Sequence, residues 1–181
     1  MKRSILILFL LFTSVCGSVM MAQSPAYRGF IDTGYSFGIG ARSASKWVLS
    51  TAHGAEFIPG KLFVGGGVGL GISTESNHEV YNMPVFANAR YTFSDLKVAP
   101  FIDMKAGYGF LWDKNHPGGN EGGFYFAPTA GISLPVGGDV RVNFGVTYTL
   151  QRACYTTKDH GNTHRHTCDD GGFGLLMGVE F

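Results

Sequence analysis

From residue 27 onward the chain alternates apolar and polar or small positions in eight segments, each bounded by turn residues. The clearest is VRVNFGVTYTLQ, residues 140–151. There Val140, Val142, Phe144, Val146, Tyr148 and Leu150 share one face, opposite Arg141, Asn143, Gly145, Thr147, Thr149 and Gln151. The same period of two runs through residues 27–40, 61–73, 83–93, 99–112, 123–134 and 172–181. It predicts β-strands. The segment 46–58 is less regular, because Thr51 and His53 fall on its apolar face with Trp47, Leu49, Ala55 and Phe57. A bulge near Gly54 would relieve that. No helical periodicity competes.

The connections sort into two kinds. Pro59-Gly60, Ser94 to Lys97 and Gly137-Gly138-Asp139 are tight, whereas 74–81, 113–121 and roughly fifteen residues after strand seven are long. Eight long strands joined by alternating short and long loops predict an all-β, eight-stranded, antiparallel, up-and-down transmembrane barrel, with the long loops extracellular. A soluble barrel of the same strand count alternates too, so the faces must decide. One face is almost continuously Trp, Tyr, Phe, Leu, Ile and Val. The other is rich in glycine and carries Arg28, Arg90, Lys105 and Arg141 against Asp32, Glu56, Asp103 and Glu180. A cation at the membrane midplane costs about 2–4 kcal/mol, so these eight residues are expected to line the lumen as a paired network. An eight-stranded interior is just wide enough for its own side chains, and large aromatics are expected outside.

The first residues, MKRSILILFLLFTSVCGSVMMAQ, have Lys2 and Arg3 before a short apolar run, with Ala22 at a cleavage point. They predict a signal peptide over 1–22 and a barrel domain over 23–181. Composition agrees with export to a membrane. Charged residues are 15% of the chain, against about 25% in soluble domains, and the net charge of +1 gives no footprint for nucleic acid.

Removal of the leader, which takes Cys16 with it, leaves Cys154 and Cys168. A cysteine pair in an oxidising compartment is expected to form a disulfide. Between them, His164-Arg-His166 and His160 offer a weak ligand geometry for zinc, copper or nickel. The same stretch, with Asp159, Asp169, Asp170 and the nearby Ser73 and Ser76, could hold a base and its orienter for acyl transfer. No serine lies within it, and the leading expectation is a non-enzymatic protein without a cofactor.

GLLMGVEF, closing on Phe181, resembles the C-terminal signal read by the barrel-assembly machinery of Gram-negative bacteria. HGAEFIPGKLFVGGGVG and the MAQ of the leader region are similar to small outer-membrane barrels of Bacteroidetes, of OmpX/OmpA-barrel-like architecture. The resemblance implies an eight-stranded outer-membrane barrel. It implies as partners the assembly machinery during insertion, outer-membrane lipid and an unidentified extracellular or envelope partner, and it carries over no catalytic residue.

Overall fold

The computed structural model describes residues 26–39, 43, 45–73, 80–94, 97–113, 121–159 and 162–181. Eight strands follow in order: β1 (Ala26–Ile39), β2 (Lys46–Ile58), β3 (Leu62–Ser73), β4 (Val80–Thr92), β5 (Ala99–Asp113), β6 (Glu121–Gly137), β7 (Val140–Asp159) and β8 (Asn162–Glu180). Each pairs antiparallel with the next, and β8 pairs back onto β1, so the sheet is closed and has no free edge around its wall. Closure satisfies every strand's ladder within the protein, which is what lets a sheet sit in hydrocarbon.

Alternation sets the faces. Ile31, Leu49, Val68, Val85, Met104, Ile132, Val146, Leu175 and Met177 all point outward. Asp32, Asn88, Arg90, Asp103, Lys105, Thr129, Asn143, Thr147 and Gln151 are buried inside. Aromatic residues ring both ends of the outer wall. On β1 the rings run from Tyr27 to Phe37, and on β4 from Tyr91 to Tyr81, ten positions in each case. Ten residues span roughly 33 Å along a strand. At a tilt of ~40° that is about 25 Å of height, the apolar band of a membrane barrel.

Two tight turns need glycine for their backbone. Gly60 and Gly138 have φ of 70° and 58°, the left-handed region that other residues adopt at a cost. Their rim also holds the start of β1 and the end of β8. There Phe181 exchanges backbone hydrogen bonds of 2.8 and 2.9 Å with Gly29.

Three expectations are corrected. The irregularity in β2 lies between Glu56 and Ile58, beside the Pro59-Gly60 turn, and the register passes Gly54 without a break. The stretch after strand seven is not a loop of fifteen residues. The backbone of β7 runs to Asp159 and β8 starts at Asn162, so a two-stranded ribbon continues past the rim. Finally, aromatic side chains do enter the lumen. Phe30, Phe63, Phe86 and Phe101 are buried there; the first three belong to one cluster with Ala52, and Tyr125 packs against it. Phe63, Phe86 and Phe101 fit because glycines lie against them. A Cβ on Gly65 would stand 2.6 Å from the Phe63 ring, and one on Gly67 or Gly131 would stand 2.7 Å from the rings of Phe86 or Phe101.

Candidate functional site, the charged lumen

The inner face of β4 and β5 carries the centre of the lumen. Arg90 Nε donates to Asp103 Oδ2 at 2.9 Å, and its other nitrogens lie 3.9 Å from Asp32 and 4.0 Å from Glu180. The guanidinium is held between two rings, 4.0 Å from the centroid of Phe30 and 4.3 Å from that of Phe101. A planar cation stacks on such faces while keeping its in-plane donors for carboxylates. Asn88 Nδ2 also donates to Asp103, at 2.9 Å. Lys105 Nζ lies 2.7 Å from Asp32, donates to Ser50 at 3.1 Å, and stands over the Phe86 ring at 5.5 Å. Below this layer Arg28 bridges Glu56 at 2.9 Å and Glu180 at 2.8 Å.

The residues expected in the lumen therefore come together as follows. Arg28, Asp32, Glu56, Arg90, Asp103, Lys105 and Glu180 form one connected set of ion pairs. Arg141 binds a neutral partner instead, donating to Ser133 Oγ at 2.8 Å and to its carbonyl at 3.1 Å. A further pair escaped the sequence reading: Lys46 and Asp170, 2.5 Å apart near the other rim. Lys46 has the parity of the polar face of β2, and that was the available signal. Asp170 lies in a stretch read as loop.

Above the charged layer Asn82 donates to Gln151, whose side chain is fully buried. Two cavities lie beside these layers, one of about 10 Å³ against Arg90, Asp103 and Asn143, and one of about 40 Å³ against Lys46, Asn82, Lys105 and Thr129. The first is about the size of one water and the second of a few. Among the described residues the lumen is thus packed with paired charges and buried rings.

His53 lies on the outer wall, hydrogen-bonded to Tyr27 and Thr51. His160 lies outside the described residues, and of Cys154, His164, His166 and Cys168 only the backbone is described. That backbone places Cys154 opposite Thr167 and Ala153 opposite Cys168, so the two cysteines are one position out of step.

A closed eight-stranded barrel with an apolar wall and a polar core defines the outer-membrane class of β-barrel fold. Comparison with solved structures agrees. The barrel is similar to neisserial surface protein A, at 13% identity over 87% of this chain and 98% of that one, with a TM-score of 0.67. It is also similar to the N-terminal β-barrel domain of Pseudomonas aeruginosa OprF, at 13% identity over 85% and 97% of the two chains and a TM-score of 0.52. Outer membrane protein W of E. coli matches at 13% identity over 89% and 99%, again with a TM-score of 0.52. No protein-family model and no curated protein matches the chain. The likeness is one of fold.

Proposed function

We propose that this is a small, non-enzymatic outer-membrane β-barrel of a Gram-negative bacterium, inserted by the barrel-assembly machinery. In this reading it acts in envelope structure or surface contact through its long connections, which face the exterior. One observation carries the reading: among the described residues the lumen is filled by its own paired charges and buried rings, which supports a sealed barrel over a channel or a substrate cleft. What remains to interact is the rim and the wall. The β7–β8 ribbon, whose backbone pairing continues to Asp159 and Asn162, is one such surface.

Reconstitution into a planar bilayer tests the lumen: no step conductance above the lipid background is expected, and reproducible open-channel steps would refute a sealed barrel. A deletion strain tests the rest. We expect altered envelope permeability or surface contact with an unchanged lipid A profile, and a changed lipid A profile would overturn the non-enzymatic reading.

A further inference from the structure

His53 is an ionisable side chain on a wall otherwise built for hydrocarbon. Polar groups facing lipid are costly, so an ionisable residue there calls for a function. Three side chains form a chain of hydrogen bonds. Thr51 Oγ1 donates to the Phe30 carbonyl at 3.1 Å, and it lies 2.8 Å from His53 Nε2. With its one proton committed, Thr51 accepts from Nε2–H. That leaves Nδ1 bare, to accept from the Tyr27 hydroxyl at 2.6 Å. The His53 and Tyr27 rings lie nearly parallel, 15° apart, and the Phe181 ring stands at 65° to the imidazole, 6.3 Å away.

The place matters as much as the bonds. Tyr27 is 62% exposed and belongs with Phe57 and Phe181 to the aromatic ring at the tight-turn rim, the level of lipid headgroups. Across the ladder on β3, His53 faces Gly66, and the same row continues through Ala87 and Ala106. The wall beside the imidazole is therefore low.

We propose that Tyr27, His53 and Thr51 are a headgroup site on the outer wall, which takes a phosphate oxygen of a lipid in the leaflet at the tight-turn rim. Binding reverses the hydrogen-bond chain. The Thr51 hydroxyl turns to donate to Nε2, the imidazole proton moves from Nε2 to Nδ1 and is donated to Tyr27 Oη, and the Tyr27 O–H turns outward to the phosphate. The number of protons is unchanged: two hydroxyls rotate and the imidazole changes tautomer. If the imidazole takes up a proton beside the anion, Nδ1 is again a donor and Tyr27 again points outward. The low wall at Gly66, Ala87 and Ala106 lets the hydrocarbon of the same lipid lie against the barrel.

This inference rests on the reading of the outer wall as lipid-facing. It is tested by ¹⁵N NMR of the full mature chain labelled at histidine, with His53 assigned through a His53→Gln variant. The pH is held above the titration range of free imidazole. Samples are nanodiscs of phosphatidylethanolamine and phosphatidylglycerol, maltoside micelles without phosphate, and the same micelles with inorganic phosphate. Most of the Nδ1 signal is expected to be of the protonated type in nanodiscs and of the bare type in both micelle samples. Tyr27→Phe, with its fold checked by heat-modifiable gel migration, is expected to lose the response. An Nδ1 signal identical in nanodiscs and maltoside overturns the proposal, as does a response that survives Tyr27→Phe. A response to inorganic phosphate alone overturns the lipid as its source. Failure to enter nanodiscs would instead refute the membrane reading itself.

Discussion

Replacing Arg90 with methionine is the most direct probe of how the lumen is held together. Methionine keeps much of the length and apolar bulk and removes the charge. Asp103, 1% exposed, would keep only Asn88 as a side-chain partner, and Asp32 would keep only Lys105 among its ion pairs. Removing one member of a buried pair costs about 3–5 kcal/mol, because the other charge stays buried and uncompensated. Loss of the stacking on Phe30 and Phe101 adds roughly 1–2 kcal/mol after allowance for non-additivity. The expected sum is about 4–7 kcal/mol. Urea titration of the barrel folded in vesicles measures it. With m near 2 kcal/mol/M the midpoint would fall by about 2–3.5 M at unchanged m. The double variant Arg90→Met/Asp103→Leu removes the stranded carboxylate as well, and should recover at least half of the loss. A single-variant loss below about 1 kcal/mol, or a double variant less stable than the single one, would refute the account of the lumen as mutually dependent charges.

Three further outcomes follow from the same geometry. Trp47 is 56% exposed on the outer wall, so in a Trp112→Phe background its fluorescence should be strongly quenched by bromine-labelled acyl chains, and absence of quenching would place that wall away from lipid. Gly29→Val pushes a side chain into the Phe181 ring, which a Cβ would meet at 2.6 Å; a loss of about 1–3 kcal/mol is expected by urea titration, reduced by half or more when Phe181→Ala is added. A Cys154–Cys168 disulfide, which we propose for the folded mature protein, requires the ribbon to slip by one residue from the register seen here, since a one-residue slip exchanges faces. A thiol titration finding no reactive group would support the bridge, and two reactive thiols would dismiss it.

How much of this was legible in the chain depends on what each feature leaves in a period of two. The faces were legible, because Ile102, Met104, Tyr108 and Phe110 against Asp103 and Lys105 can be sorted only one way in a membrane. The entry of Phe30, Phe63, Phe86 and Phe101 into the lumen was not. Parity alone assigns them inward, but the space for Phe86 and Phe101 comes from Gly67 and Gly131 on neighbouring strands, and which glycine faces which ring depends on cross-strand register. The ribbon was misread for another reason. Beyond Gln151 both faces leave the bilayer, so TTKD and NTHRHT carry no alternation to mark a strand. His53 was noticed as out of place beside Thr51 on its face, but its partner Tyr27 could be named only once β1 and β2 were aligned.

The lumen has one more consequence. Among the described residues Arg28, Lys46, Arg90, Lys105 and Arg141 are matched by Asp32, Glu56, Asp103, Asp170 and Glu180, five of each sign. A body that neutralises itself internally projects almost no field, and ions in the medium have little access to pairs so deeply enclosed. Seen from outside, the wall and its filling are electrically silent. Any molecule guided to this protein by charge is guided by the rims alone, and the ionic strength of the surroundings should tune such encounters while leaving the barrel's own stability nearly untouched.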